Sequence, residues 1–298
     1  MNHAARFEHR LSQLADQHGE LADLLKGLLL GGKYLRPVLC LRVAEALHGD
    51  AERAMRSALA LELIHCGALL HDDVYDRDTV RRGVPSLWSR LGDRTAMVVG
   101  DLMLGRAFEI MPLTGLSCLA RCIGELSRAS LTEVFRRGVP SVEESLAVLV
   151  GKTASLFRTA AELGGLSADA PPPVLERLSI YGQQMGIAFQ IADDLADIET
   201  SRAQGRFVGD LAERRPTWPL LAVPVTDLAR YVAGEALDES AFLTRLDPSV
   251  AAAQASIDRY LAAAQAAVDP LALGLTASFP PGPGPTRTPQ AAPARSTG

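Results

Sequence analysis

Two aspartate clusters, each with the spacing D-D-x-x-D, are the residues of this chain whose types and spacing most clearly indicate chemistry. The first cluster contains Asp72, Asp73 and Asp76, and the second contains Asp193, Asp194 and Asp197. On a helix, the first and last aspartates of such a cluster lie one turn apart on the same face. Two like charges ~4 Å apart repel by ~4 kcal/mol at an effective dielectric near 20, so a repeated cluster predicts bound cations. We therefore expect divalent metal ions between the two aspartate clusters.

Basic residues and glycines near the clusters indicate what the metal would hold. The sequence has Arg77, Arg81 and Arg82 directly after the first cluster, Gly31-Gly32-Lys33-Tyr34-Leu35-Arg36-Pro37 before it, and Gly151-Lys152-Thr153 between the two clusters. Carboxylate sites suit Mg²⁺, whose coordination is usually completed by water and substrate phosphates. Arginine forks bind phosphate at two points, and lysine contributes a point charge. The expected ligand is a diphosphate.

Helices must position these residues, because strand signals are scarce and Ala, Leu, Arg and Glu recur at helical spacing. The predicted helices are 2–30, 35–47, 51–76, 86–109, 116–136, 142–163, 173–200, 216–221 and 247–267. Segments 51–76 and 173–200 are rich in apolar residues and end near an aspartate cluster, which predicts two buried helices. Such a bundle can take a hydrocarbon in its interior and a diphosphate at its rim.

Composition restricts the class of protein and its organisation. The 298 residues include only 5% aromatics and carry a net charge of -5, which argues against nucleic-acid binding. The four cysteines lie in apolar surroundings without metal-binding spacing, and no run of ~18 apolar residues occurs, so we expect reduced thiols, no transmembrane segment and a cytoplasmic location. We predict one helical domain over 1–268 and a disordered tail over 269–298, where Pro, Gly, Thr and Ala dominate.

The motifs, taken in order, resemble those of the trans (all-E) polyprenyl diphosphate synthases, the family of farnesyl and geranylgeranyl diphosphate synthases. They are GGKYLRP, LLHDDVYDRDTVRRGVPS, VVGDLML, GKTASLF, GQQMGIAFQIADDLAD and GDLAERRPTWP, between about residues 31 and 219. The resemblance implies an all-α isoprenoid synthase bundle around a central cavity. It also implies a Mg²⁺-dependent transferase that condenses an allylic diphosphate with isopentenyl diphosphate, working as a homodimer.

The resemblance assigns roles to individual residues. Asp72, Asp76 and Asp193 would bind about three Mg²⁺ that bridge the allylic diphosphate, supported by Asp73, Asp194 and Asp197. Isopentenyl diphosphate would contact Lys33, Arg36 and Arg82, and the allylic diphosphate would contact Arg81, Lys152 and Arg206. Arg206 and Arg215 stand where the family usually has lysines. Thr153 and Gln190 would face the allylic cation, which completes a catalytic set with Asp72, Asp76, Lys152 and Asp193.

Two positions depart from the family pattern. Tyr34 follows GGK where the family usually has arginine, and Trp88 occupies a position that is often histidine and helps to hold isopentenyl diphosphate. We expect this half of the site, including Trp88, to be built differently.

Four residues before the first cluster bear on product length. Ala68 and Gly67 precede Asp72 by four and five positions, which on a helix places them ~6 to 7.5 Å deeper at ~1.5 Å per residue. Both are small, whereas in this family a bulky aromatic residue there stops growth at fifteen carbons. The resemblance implies a product of twenty carbons, geranylgeranyl diphosphate, or longer, with Ile64 and Leu63 as the next obstacles.

Other functions remain open. A class I terpene cyclase shares the bundle but normally carries an Asn/Ser/Glu metal motif in place of the second cluster, and a noncatalytic helper subunit of a heteromeric synthase usually loses a metal aspartate. A His-Asp phosphohydrolase built on His71 and Asp72 would need further histidine ligands, and His65 is the only nearby candidate. The duplicated aspartate cluster favours the prenyl-elongating transferase.

Overall fold

The computed structural model describes residues 2–81 and 83–278. In this range the chain is all-α apart from one short hairpin, which confirms the predicted fold class. The α-helices are α1 (His3–Asp16), α2 (Ala22–Leu29), α3 (Leu35–Ala46), α4 (Ala51–Tyr75), α5 (Leu87–Leu91), α6 (Asp93–Ile110), α7 (Leu116–Phe135), α8 (Val142–Leu149), α9 (Ser155–Leu166), α10 (Pro172–Gln204), α11 (Val225–Val232), α12 (Glu239–Thr244) and α13 (Asp247–Val268). The hairpin pairs β1 (Val80–Arg81) with β2 (Val84–Pro85) in antiparallel orientation.

Helix α9 packs against both of the helices that carry the aspartate clusters. It contacts α3, α4, α7 and α10, while α4 packs on α3 and α6, and α10 packs on α13. Its small residues Ala160 and Ala161 are fully buried, and small side chains allow helices to pack closely. The clusters are therefore held by helices that share one core.

Helix α4 is buried along most of its length, as its apolar sequence predicts. The side chain of Asp50 caps its first turn by accepting hydrogen bonds from the backbone N–H groups of Glu52 and Arg53. Leu61 and Ile64 have no exposed surface. The helix ends at the first cluster, where the N–H of Asp76 donates to the carbonyl of Asp72 at 2.8 Å.

Helix α10 differs from its prediction in length. It begins with two prolines at its first positions and ends only at Gly205, whose φ of 65° is the left-handed conformation typical of a helix end. The second cluster therefore lies inside the helix and not at its end. Gly186 allows a close approach on the face that leads to the cluster, because a Cβ atom there would lie 2.5 Å from Cα of Ala154.

Several other boundaries depart from the prediction. The segment 2–30 forms two helices separated by Gly19, and the segment 86–109 forms two helices separated by Gly92, both glycines having positive φ. Segment 142–163 contains a π-helical stretch, Val150–Ala154, between α8 and α9. Segment 216–221 is instead the short 3-10 helix Trp218–Ala222. Helices α11 and α12 and the hairpin were not predicted, because each is too short for a clear hydrophobic period.

Residues 269–278, which the sequence assigned to the tail, pack against the bundle. Leu275 is buried, the Tyr181 hydroxyl donates to the carbonyl of Thr276 at 3.0 Å, and the Ala277 N–H donates to Gln265 at 2.8 Å. The rest of that segment, 279–298, lies outside the described residues. None of the described helices has both the length and the hydropathy that a membrane span requires.

Candidate active site

The first cluster separates into one anchored carboxylate and two accessible ones. Asp73 is buried and accepts hydrogen bonds from the guanidinium of Arg81, one of them 2.7 Å long. The side chains of Asp72 and Asp76 keep 21% and 36% of their surface exposed. Burial raises the pKa of Asp72, an effect that Lys152 opposes and Asp76 reinforces. Asp72 and Asp76 are thus the members of this cluster that can meet a ligand.

The second cluster has two anchored carboxylates and one accessible one. Asp194 is buried and accepts hydrogen bonds from the Gln190 side chain at 2.8 Å and from the backbone N–H of Trp218 at 3.0 Å. Burial raises the pKa of the Asp194 carboxyl well above its ordinary value. Asp197 is buried as well and accepts from the backbone N–H of Asp210 at 3.0 Å. Asp193 alone in this cluster is partly exposed.

The π-helical stretch brings Lys152 and Thr153 to the clusters. The Lys152 ammonium lies 2.6 Å from Glu133 and 3.7 Å from Oδ2 of Asp72. Burial would lower the pKa of Lys152, but the nearby carboxylates outweigh burial and raise it. The Thr153 hydroxyl donates to Oε1 of Gln190 at 2.7 Å. An extra residue in a helix often occurs at functional sites, because it turns side chains out of the regular register.

The segment 205–218, which we call the arginine loop, joins the two clusters. Its Arg215 donates to Oδ2 of Asp76 at 2.9 Å and also pairs with Glu213 at 2.7 Å. Burial would lower the pKa of Arg215, but Glu213 and Asp210 with the first-cluster carboxylate raise it. Gly209 lies against Asp197, since a Cβ atom there would come within 2.3 Å of Oδ2. Arg206, in contrast, is exposed on the loop.

The residues predicted to bind isopentenyl diphosphate have different environments. Lys33 is exposed, whereas the Arg36 guanidinium lies 5.1 Å from the centre of the Phe157 ring and 3.0 Å from Nε2 of His65. Burial lowers the pKa of Arg36, against the attraction of Glu62. Arg36 is thus a cation held between an aromatic ring and an imidazole, in a position where burial acts against its charge.

The two departures from the family pattern are engaged in contacts within the protein. The buried Tyr34 donates from its hydroxyl to Glu8 at 2.8 Å, and its φ of 52° forms the turn before α3. The indole of Trp88 donates to the carbonyl of Asp78 at 2.7 Å, and Arg77 lies over its ring at 5.3 Å. Both side chains stabilise the loops that flank the site. Arg82, the other predicted contact of this group, lies outside the described residues.

The positions predicted to limit product length face different neighbours. Ile64 is fully buried, and Ala68 is partly exposed. Gly67 packs on α6, where a Cβ atom would lie 3.1 Å from the carbonyl oxygen of Gly100. Beyond them, Leu63 borders an apolar cavity of about 10 Å³, whose walls include Leu14, Leu25, Leu29, Leu102 and Met103. A larger cavity of about 400 Å³ opens on the outer surface nearby, lined by Gln17, His18, Leu102, Gly105, Arg106 and Glu109.

Comparison with known proteins gives a consistent result. Residues 18–230 match the model of the polyprenyl synthetase family. The chain belongs to the polyprenyl synthetase family. It is 36% identical to the (2E,6E)-farnesyl diphosphate synthase of Mycobacterium tuberculosis over 76% of this chain and 67% of that protein. It is 34% identical to the octaprenyl diphosphate synthase of Escherichia coli over 64% of this chain and 62% of that protein.

Structural similarity agrees with that assignment. The geranylgeranyl pyrophosphate synthetase of Geoglobus acetivorans superposes with a TM-score of 0.79 at 27% identity, over 90% of this chain and 92% of that one. The predicted resemblance to trans-polyprenyl diphosphate synthases is therefore confirmed, and the chain is a prenyltransferase of this class.

The carboxylates fit a divalent metal of the kind that this synthetase family suggests. In the part of the chain that the structure describes, no group of three or more His, Cys, Asp or Glu side chains is arranged to hold one ion alone. Mg²⁺ does not require such a group, because it usually takes one or two carboxylates, several waters and substrate phosphates. Asp72, Asp76 and Asp193 are hard oxygen donors with exposed surface, which suits an ion that arrives with a diphosphate.

Several polar residues of this synthase site were missed from sequence. Glu133 pairs with Lys152, Glu213 with Arg215, and His65 with Arg36. His65 had a usable signal, since it lies seven residues before Asp72 and hence two turns away on the same face of α4. Glu133 had none, because its contact with Lys152 depends on how α7 packs beside the π-helical stretch.

Proposed function

We propose that this chain condenses an allylic diphosphate with isopentenyl diphosphate, using Mg²⁺, to form a trans-polyprenyl diphosphate of twenty carbons or more. The observation that carries the proposal is the meeting of Asp72 and Asp76 with the cations of Lys152 and Arg215. Carboxylates that attract metal and cations that attract phosphate thus occur together at one site. The family membership supports the same reaction class.

Ionisation of the allylic diphosphate is the step that these charges favour. The C–O bond breaks, so the diphosphate takes up the electron pair and the allylic carbon becomes a cation. Bound Mg²⁺ would stabilise the leaving diphosphate as a Lewis acid, held by Asp72, Asp76 and Asp193. Lys152 and Arg215 add preorganised positive charge, which lowers the barrier most where water is excluded.

The allylic cation needs electron-rich neighbours, and Thr153 and Gln190 supply them. Because the Thr153 hydroxyl gives its proton to Gln190, its oxygen lone pairs remain available to a nearby positive charge. Asp194 in turn holds the Gln190 amide, so the orientation of this pair is fixed before substrate binds. The new C–C bond then forms with the double bond of isopentenyl diphosphate. The released diphosphate would accept the proton that is lost.

Lys33, Arg36 and His65 form the proposed isopentenyl diphosphate site. The proposal is supported by the contact of the Arg36 guanidinium with His65 at 3.0 Å and by the exposure of Lys33 close to it in the sequence. Tyr34 and Trp88 contribute by supporting the loops, since their polar atoms already bond to Glu8 and to the Asp78 carbonyl. This arrangement reassigns Trp88 from a substrate contact to a supporting residue. Arg206, which is exposed, would have to move inward to reach the allylic diphosphate.

A product of twenty carbons or more is supported by the walls below the first cluster. Ala68 presents only a methyl group and is partly exposed, and the next residues along α4 toward its start, Ile64 and Leu63, are aliphatic. The relatives named above are farnesyl and octaprenyl diphosphate synthases, so both shorter and longer products occur among similar proteins. Residues of this chain, rather than its family, support the longer product.

We infer that the enzyme is a cytoplasmic homodimer in which α6 forms the contact. Val98 and Phe108 on this helix are 63% and 42% exposed, although α6 packs on α4 beside the first cluster. Exposed apolar side chains of this kind support a contact with another subunit where they belong to one patch. Light scattering should report twice the chain mass, and Val98→Arg should shift it toward the monomer. A monomeric mass for the unaltered protein would contradict this inference.

The reaction is tested by incubating the purified protein with Mg²⁺, isopentenyl diphosphate and each of dimethylallyl, geranyl, farnesyl and geranylgeranyl diphosphate. Product masses should increase by whole isoprene units, and Asp193→Asn should abolish growth. Absence of growth from every starter would reject the proposal. A cyclised hydrocarbon would instead identify a terpene cyclase, and growth only after addition of a second subunit would identify a helper subunit.

A further inference from the structure

The arginine loop contacts both aspartate clusters through two of its own residues. The backbone N–H of Asp210 donates to Oδ2 of Asp197 at 3.0 Å, and the guanidinium of Arg215 donates to Oδ2 of Asp76 at 2.9 Å. Both contacts depend on the path of the loop backbone between Asp210 and Arg215. Whatever holds that backbone therefore sets the relation between the loop and the two clusters.

Besides Asp197, the side chain of Tyr231 reaches this stretch of backbone from outside the loop. The hydroxyl of Tyr231 on α11 lies 3.3 Å from the carbonyl oxygen of Asp210, 3.3 Å from that of Leu211 and 3.1 Å from that of Arg215. A phenol has one proton to donate, so the three carbonyls share a single donor. Burial raises the pKa of Tyr231, and the phenol stays neutral and keeps that proton. The carbonyl of Asp210 also accepts the N–H of Arg215 at 3.0 Å, which closes a compact turn.

Aromatic packing fixes the position of this hydroxyl. The Tyr231 ring is fully buried, stacks on Phe242 with centroids 5.5 Å apart, and meets Phe207 edge-on at 5.8 Å. Arg214 lies over both Phe207 and Tyr231, with its guanidinium carbon 5.0 Å and 5.3 Å from the ring centres. The backbone φ of Arg214 is 58°, which is left-handed. A residue other than glycine keeps this conformation only when its surroundings hold it.

We propose that Tyr231 is a positioning residue for the diphosphate site, acting through its hydroxyl on the arginine loop. The hydroxyl holds the carbonyls of Asp210, Leu211 and Arg215 close together by hydrogen bonding. This keeps Arg215 in contact with Asp76 and the backbone of Asp210 in contact with Asp197. The consequence of this contact for catalysis rests on the proposed function, whereas the effect of Tyr231 on the loop does not. Tyr231 lies just beyond the residues that match the family model, so the sequence motifs do not include it.

The experiment compares Tyr231→Phe with a matched control, Tyr181→Phe. The first change removes only the oxygen and keeps the aromatic stack, and the second removes a hydroxyl that donates to the carbonyl of Thr276, far along the chain from the loop. Amide hydrogen exchange of peptides covering 205–218 should be about tenfold faster in Tyr231→Phe and unchanged in Tyr181→Phe. Equal exchange of this loop in the unaltered protein and Tyr231→Phe would overturn the proposal, whether or not the protein makes prenyl products.

Steady-state kinetics then separate positioning from a general loss of stability. We expect Tyr231→Phe to lower kcat/KM for the allylic diphosphate by about tenfold, which is the scale of one lost hydrogen bond. In an Arg215→Gln background the same change should alter kcat/KM less than about twofold, because the effect of Tyr231 on the allylic diphosphate passes mainly through the Arg215 guanidinium. Equal factors in both backgrounds would overturn the proposal. If Tyr231→Phe does not fold, Arg214→Met tests the same loop, with faster exchange of 205–218 expected and unchanged exchange contradicting it.

Discussion

Arg215 lies 2.9 Å from Asp76 although 139 positions separate the two residues in the chain. The contact joins the loop after the second aspartate cluster to the first cluster, so each half of the site depends on the other. It also places a cation beside the carboxylate of Asp76 in the first cluster. Because the neighbouring carboxylates outweigh burial and raise the pKa of Arg215, the guanidinium keeps its charge over the whole accessible pH range.

Replacement of Arg215 by glutamine should therefore reduce the stabilisation of the transition state more than the stability of the fold. We expect kcat/KM for the allylic diphosphate to fall by about 10- to 100-fold, since a hydrogen bond to a charged group contributes roughly 1.5–3 kcal/mol. Arg230→Gln is the matched control, because Arg230 forms an exposed pair with Glu235 at 2.8 Å on the neighbouring helix. Steady-state kinetics of both variants test the prediction, and equal losses in the two would contradict it.

Thr153→Val should lower kcat while leaving KM for the allylic diphosphate nearly unchanged. The hydroxyl meets positive charge only after ionisation, so its loss affects the transition state and not the bound ground state. The change also leaves Oε1 of Gln190 without its donor, which should cost about 1–3 kcal/mol of stability. Thr200→Val is a control on the exposed part of α10, where the hydroxyl bonds only to the carbonyl of Ala196. A rise in KM with unchanged kcat would reject the role assigned to Thr153.

The aspartate spacing was sufficient to predict much of this site, because a helix converts spacing into position. Asp72 and Asp76 are four residues apart and lie one turn apart at the end of α4, as predicted. The same argument was incomplete for α10, where the sequence carries no stop signal until Gly205. Spacing also could not distinguish Asp73 and Asp194, which are buried hydrogen-bond acceptors, from their accessible neighbours.

Contacts made by loops were beyond prediction for a different reason. Tyr34 was considered as part of a substrate site, but its left-handed backbone directs its hydroxyl to Glu8 on α1. The contact of Arg215 with Asp76 depends on a turn whose shape is set by residues of α11 and α12. Periodicity describes a helix from its own residues, whereas such a turn is determined by partners far away in the chain.

Each cluster contains both buried and accessible aspartates, and substitution by asparagine should have different outcomes at the two kinds of position. Asp72→Asn should abolish product formation and the thermal stabilisation by Mg²⁺ with inorganic pyrophosphate, while melting of the free protein stays near that of the unaltered protein. Asp73→Asn should instead lower the melting temperature by several degrees, because the buried Arg81 pair is weakened. Differential scanning fluorimetry with and without both ligands checks this. Equal melting temperatures for the two free variants would contradict the assigned roles.

Chelation of divalent metal should act on the same site without unfolding the bundle. The two clusters are held by Arg81, Gln190 and backbone N–H groups, none of which depends on a metal ion. We therefore expect EDTA to abolish chain growth, with recovery on addition of Mg²⁺ and little change in far-ultraviolet circular dichroism. Chain growth that persists after dialysis against EDTA would contradict metal dependence.

Ala68→Phe should shorten the product toward fifteen carbons. Ala68 lies one turn of α4 below Asp72, and a phenyl group there would occupy the proposed route of the growing chain toward Ile64 and Leu63. Gly67 is less suitable for this test, because any side chain would press on the Gly100 carbonyl and disturb the packing of α4 on α6. Ala68→Ser serves as the control, since it adds one oxygen and leaves the path open. Mass spectrometry of the products should show the shift for phenylalanine only, and an unchanged distribution would remove Ala68 from the floor of the cavity.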